Sequence, residues 1–257
     1  MTTGIFLAMR ITGAPRAVLP AILFLAVGLI HAAEAEERLT VVELFTSQGC
    51  SSCPPADNYL GELTKRDDVL ALSFHVDYWD YIGWRDPYAD AANSRRQRAY
   101  SERLGIPYVF TPQMVIDGVM EESGNNHLRI ARLIAVAAAH DKPWADVRLT
   151  RAAARQVRVQ VPSMAYSGEA DVLLIRFDAR HVTQVGGGEN SGRVLSNHNV
   201  VRQVRPIATW GGEALDLTIP LEDLGGAGED FCAVIVQESH QGRILGATFI
   251  DLRHTAS

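Results

Sequence analysis

The stretch Val41-Val42-Glu43-Leu44-Phe45-Thr46-Ser47-Gln48-Gly49-Cys50-Ser51-Ser52-Cys53-Pro54-Pro55 decides the fold. Its first part, Thr40 to Phe45, is short, apolar and β-prone. After Pro55, Tyr59, Leu60 and Leu63 recur on one helical face, and Lys65-Arg66 stand at the C-terminal end. A C-x-x-C pair therefore lies between a strand and a helix. The first N–H groups of a helix lack intrahelical partners and carry partial positive charge. Cys50 at that position is expected to be the more acidic thiol and the attacking one. Cys53, further in, is expected to resolve the mixed disulfide. Pro54 and Pro55 fit a first turn, where a missing N–H costs little; deeper in a helix it would cost about 3 kcal/mol.

Two other readings of the pair stand beside the redox one. A structural disulfide that closes so short a loop restrains little of the unfolded chain. A zinc site needs two further ligands, and there is no second C-x-x-C or H-x₃-H. A soft-metal (copper) carrier could recruit His75, which ends the next strand. The cofactor of the redox reading is the cysteine pair itself.

Working outward, Val69 to Val76 reads as a buried strand and Ser94 to Leu104 as a helix ended by Gly105. Gln113 to Ile116 is a strand, with an Asp117-Gly118 turn and a return strand from Val119. Leu128, Ala131, Ile134, Ala135 and Ala138 mark a last helix, capped by Asn125 or Asn126. After Lys142-Pro143 the period changes to two, in runs such as Val157/Val159/Val161 and Leu215/Leu217/Ile219, separated by Gly-rich turns. The fold class expected is an α/β domain over residues 36–142, followed by an all-β, sandwich-like domain over 143–257. Glu43, in the strand leading to the cysteines, is a proton acceptor for Cys53 if it faces the core, and a solvated strand residue if it faces out.

Strand, C-x-x-C at a helix start, strand, helix, Thr111-Pro112, hairpin and helix together resemble the thioredoxin fold. That resemblance implies a cis peptide bond at Pro112, beside the cysteines. It also implies a substrate groove in which Thr111 offers its backbone to a bound peptide. Phe45 to Asp57, Phe74 to Tyr81, Tyr108 to Gly118, Gly188 to Arg193 and Asn199 to Arg202 resemble an uncharacterised family of bacterial secreted thioredoxin-like proteins. The function expected is thiol–disulfide exchange by an exported enzyme. The alternative is a non-enzymatic binding module of the same fold with a permanent disulfide. Between the cysteines stands Ser51-Ser52, neither the Gly-Pro of thioredoxin nor the Pro-His of the strong periplasmic oxidant, so the direction of electron flow is open.

The 257 residues are 47% hydrophobic and 21% charged, an ordinary globular balance, and the net charge of −6 offers no basic surplus for nucleic acid. Arg10 and Arg16, the apolar run Ala17 to Ile30 and Ala33-Glu34-Ala35 have the layout of a cleavable export signal over residues 1–35, with Met1 or Met9 as the start. The run contains Pro20 and is shorter than the roughly 20 residues of a membrane span. A periplasmic or secreted location permits disulfides, and protein thiols or disulfides there are the expected partners. Tyr78, Trp79, Tyr81, Trp84 and Tyr88 crowd one loop, either as packing or as a lip for a partner polypeptide. Arg95, Arg96 and Arg98 read as a solvated helix face, and Cys232 as a buried, inert thiol.

Overall fold

In the computed structural model the described residues are 1–4, 38–140, 143–153, 156–220 and 230–253. The core of the expected export signal falls on residues 5–37, outside them. By its contacts the chain divides into Met1–Ala35 and Glu36–Ser257, and every element below belongs to the second unit. Among the described residues no helix is long and apolar enough to cross a membrane.

The first half is built on β1 (Thr40–Thr46) and β2 (Val69–His75), parallel and buried along their whole length. Strands buried on both faces read as nearly continuous apolar runs, as these do. Antiparallel to β1 lies β3 (Gln113–Ile116), which turns through Asp117 and Gly118, both at positive φ, into β4 (Met120–Ser123). Helices α1 (Pro54–Leu63) and α3 (His127–Ala139) cover one sheet face, where Ala56, Leu60, Ile130 and Ile134 meet Val42, Leu44 and Met114. Helix α2 (Ala91–Leu104), capped by Asp90 and ended by Gly105 at φ 68°, covers the other.

The second half is largely β, as expected. A small sheet of β5 (Arg148–Ala153), β6 (Gln156–Val161) and β9 (Leu215–Pro220) packs its valines on β7 (Ala170–Gln184) and β10 (Phe231–Glu238). The long β8 (Val194–Trp210) pairs antiparallel with β7 and, at Val200, parallel with Ser73 of β2. Strands of both halves thus form one eight-stranded sheet in the order β11-β10-β7-β8-β2-β1-β3-β4, with β11 at Ile244–Asp251. The sheet curls until its far edge returns to the β3–β4 turn. Ile244 N–H donates to the Asp117 carbonyl at 3.0 Å, while the Asp117 carboxylate accepts from Val41 N–H at 2.9 Å.

Helix α2 is unusual in what it buries: Asn93, Ser94, Arg96, Gln97, Tyr100 and Ser101 all face inward. Arg96 corrects the expectation of a solvated arginine face. Its guanidinium donates to both carboxylate oxygens of Glu43, at 2.6 and 2.8 Å, and to the Gln237 side chain at 2.9 Å. Tyr100 donates its hydroxyl to the same carboxylate at 2.6 Å. The pair is almost wholly buried. Removing one partner of such a pair leaves an uncompensated charge in the core. Arg96→Met is expected to lower the unfolding free energy by about 3–5 kcal/mol in a urea titration of the oxidised protein. A loss of about 1 kcal/mol, the size of an exposed pair, would contradict that account.

Candidate functional site

The two cysteines lie in the turn between β1 and α1. The helix begins at Pro54, Cys53 is its N-cap residue, and Pro54 and Pro55 occupy the first turn, where a missing N–H forfeits no intrahelical bond. Cys50 and Cys53 are joined in a disulfide. The Thr111–Pro112 bond is cis, and the Thr111 carbonyl oxygen lies 3.8 Å from Cys50 Sγ. Ser52 Oγ lies 3.3 Å from the same sulfur and 3.4 Å from that carbonyl. Trp79 Nε1 donates to the Thr111 hydroxyl at 2.8 Å. Cys50, Cys53, Thr111, Pro112 and part of the aromatic loop therefore share one place.

Cys50 is nevertheless not open to solvent, as its expected role as the attacking thiol requires. It is 1% exposed and Cys53 is 0% exposed, while Ser51 and Ser52 between them are exposed. The cover comes from two loops. Gly49 passes so close beneath Trp79 and Ile82 that a Cβ there would lie 3.2 Å and 3.3 Å from them. The turn at residues 188–190, between β7 and β8, closes the other flank. The buried Asn190 amide donates to the carbonyls of both Gln48 and Cys50, each at 2.9 Å. Arg193 donates to Asn190 Oδ1 at 2.8 Å and so orients that amide. The neighbouring Glu189 accepts from Ser51 N–H at 3.0 Å, and hydrogen bonds from Ser51 hold its carboxyl below the usual range.

Glu43 is not part of this group. It is buried, but on the α2 face of the sheet and engaged by Arg96, whereas α1 packs on the opposite face. The acid beneath the disulfide is Asp57, one helical turn beyond Cys53 on the inner face of α1. Burial pushes its carboxyl up to about 7, partly offset by the nearby His75. His75 Nδ1 lies 2.6 Å from Asp86 Oδ2. Burial alone would lower the His75 pKa, but the Asp86 carboxylate outweighs it and the net shift is upward. Burial works to raise Asp86 too, and His75 outweighs it so that Asp86 falls. Gln48 joins this group to the disulfide loop. Its N–H donates to Asp86 at 2.8 Å and its side-chain amide to Asn197 of β8 at 2.9 Å, while Trp84 Nε1 donates to Gln48 Oε1 at 3.1 Å.

Four buried polar atoms around Asp57 have no protein partner: Asp57 Oδ1, His75 Nε2, Thr46 Oγ1 and Asn197 Nδ2. Such a set is the usual lining of an internal water site. His75, with Nδ1 on Asp86, is not gathered with the cysteines as a ligand set. Among the described residues no group of three or more His, Cys, Asp and Glu side chains is placed to hold a metal ion. Cys232 is buried, and desolvation pushes its thiol up to about 12.

The sequence reading missed Asp57, Asp86, Asn190 and Asn197. For Asp57 the local signal is an acidic residue at a helix position otherwise lined by Ala56 and Leu60, and Asn190 lies in the Gly188–Arg193 run. Because the folded pKa of Asp57 lies above its unfolded value, the folded state holds the extra proton between about pH 4 and pH 7. Asp57 thus subtracts stability as pH rises through that window. Asp57→Asn is expected to flatten the stability–pH curve there and to make the protein more stable than the parent at pH 8. An unchanged curve in thermal melts across pH 4–8 would place the slope elsewhere.

The chain resembles solved structures over most of its length. An X-ray structure of protein AGR_C_4864 from Agrobacterium tumefaciens is 31% identical, covers 87% of this chain and 99% of its own, and superposes with a TM-score of 0.75. HBP35 of Porphyromonas gingivalis, at 15% identity and a TM-score of 0.60 over 86% of this chain and 78% of its own, shares the fold. No curated protein matches the chain. Residues 41–237 match the model of the family described as protein of unknown function DUF1223, and with a thioredoxin-like α/β segment followed by a largely β region the chain belongs to that family.

Proposed function

We propose that the protein is an exported thiol–disulfide oxidoreductase whose working group is the Cys50–Cys53 pair. The observation that carries this reading is the disulfide closed at the start of α1, against the Thr111 carbonyl of a cis Thr111–Pro112 bond. In the reduced protein, Cys50 thiolate attacks a partner disulfide, forming a Cys50–partner disulfide and releasing one partner thiolate. Cys53 gives up its proton and attacks the Cys50 sulfur. The Cys50–Cys53 bond forms, the second partner thiolate leaves, and two electrons have passed to the partner. Run backwards, the same steps oxidise a partner dithiol. Asp57, one helical turn beyond Cys53 and with a carboxyl near 7, is suited to take the Cys53 proton. Thr111 and Pro112 form the wall against which the partner's chain lies.

A second reading has its own support. Both sulfurs are buried, which suits a permanent disulfide in a binding module. Redox titration separates the two, because structural disulfides have potentials below about −300 mV and working pairs lie higher. On the redox reading, Cys50→Ala abolishes reduction of a model protein disulfide such as insulin, and Cys53→Ala accumulates mixed disulfides with exported proteins. Full activity in Cys50→Ala, or a midpoint below about −300 mV, would end that reading.

A further inference from the structure

We infer that Glu189, carried by the second half of the chain, keeps reduced Cys50 in its thiol form and thereby sets the pair as an electron donor. This inference rests on the redox reading of the Cys50–Cys53 pair and assigns its direction.

A thiolate needs hydrogen-bond donors and positive potential around it. The loop leaves few backbone donors for it and sets a carboxylate beside it. The amide next to Cys50, Ser51 N–H, is taken by the Glu189 carboxylate at 3.0 Å. Pro54 and Pro55 remove two N–H groups from the first turn of α1. The N–H of Cys53 is used by the Cys50 carbonyl at 3.2 Å, and those of Ala56 and Asp57 by the Cys53 carbonyl. The Asn190 amide is used by the Gln48 and Cys50 carbonyls. Near Cys50 Sγ lies the Thr111 carbonyl oxygen, which accepts from a thiol but repels a thiolate. The Ser52 hydroxyl, at 3.3 Å, is a neutral group able to donate.

On this background Glu189 sets an exposed carboxylate on the N–H of Ser51, the residue that follows the nucleophile. A like charge nearby disfavours ionisation and raises a thiol pKa. Ionisation stabilises a reduced pair at any pH above the thiol pKa, so holding that pKa up withholds the stabilisation; at such pH the potential stays lower and the dithiol gives up its electrons more readily. The placement is built rather than incidental. Asn190, the next residue, is fully buried and fixed by Arg193. Gly187 lies so close to the Gly83 carbonyl that a Cβ would collide with it. The turn that presents Glu189 is therefore locked to both the aromatic loop and the cysteine loop.

The test compares full-length parent protein with Glu189→Gln. Glutamine keeps an oxygen that can accept from Ser51 N–H, so the loop is retained and only the charge is removed. Two quantities are read at low ionic strength: the pH profile of Cys50 alkylation by iodoacetamide in the reduced protein, and the equilibrium constant with dithiothreitol or glutathione. The expected result is an alkylation profile displaced to lower pH and, at a pH above the midpoint of the variant's profile, an equilibrium shifted about threefold toward the reduced form. That shift is about 15 mV, since a tenfold change is 29.6 mV for two electrons. Both effects should shrink at 1 M salt, where the Debye length is about 3 Å. A parent pair that titrates reversibly while Glu189→Gln leaves both quantities unchanged, or moves them the other way, overturns the inference alone. A parent pair that cannot be reduced without unfolding overturns it together with the redox reading.

Discussion

The hydrogen bonds from the Asn190 side chain to the carbonyls of Gln48 and Cys50 are the constraint on which the rest of the site depends. The turn from β1 to α1 has no ladder partner, and buried backbone carbonyls without donors are costly. Here the Gln48 carbonyl takes its donor from a residue 142 positions away in sequence, and the same amide adds to Cys53 N–H at the Cys50 carbonyl. Bringing it there requires β8 to lie beside β2, hence the join at Ser73 and Val200. It also requires α1 to pack closely on β8. A Cβ at Gly61 would fall 2.7 Å from the His198 ring, so a glycine suits the contact. The β-rich half is therefore one wall of the site as well as a continuation of the sheet.

The two sheet faces divide the buried charge. On the α2 face, Glu43, Arg96, Tyr100 and Gln237 satisfy one another in a closed network. Such a network stabilises when complete and is costly when broken. On the α1 face, Asp57, His75, Thr46 and Asn197 leave atoms unpartnered. That incomplete satisfaction, close to the disulfide, is where a proton can be held at moderate pH.

The fold was legible wherever local chemistry fixed it. The apolar runs of β1 and β2, the prolines after Cys53, the Asp117-Gly118 turn and the Asn126 cap are short-range signals, and each marks a real boundary. What was not legible depends on partners distant in sequence. Nothing near Arg96 indicates that Glu43, 53 residues earlier, will draw it inward. Nothing near Cys50 indicates that Asn190 and the Trp79–Ile82 segment will cover it. The run Gly188 to Arg193 was visible as a motif, but its role appears only when the turn meets the cysteine loop.

The redox reading requires that the covered disulfide open within the folded protein. It is tested most directly by counting thiols after native reduction. The oxidised chain is treated with dithiothreitol without denaturant, then alkylated and read by mass spectrometry. Modification of Cys50 and Cys53 is expected, with Cys232, buried and pushed up to about 12, left untouched. Labelling of Cys50 and Cys53 only under conditions that also expose Cys232 would mean that the disulfide opens by unfolding, and would contradict it.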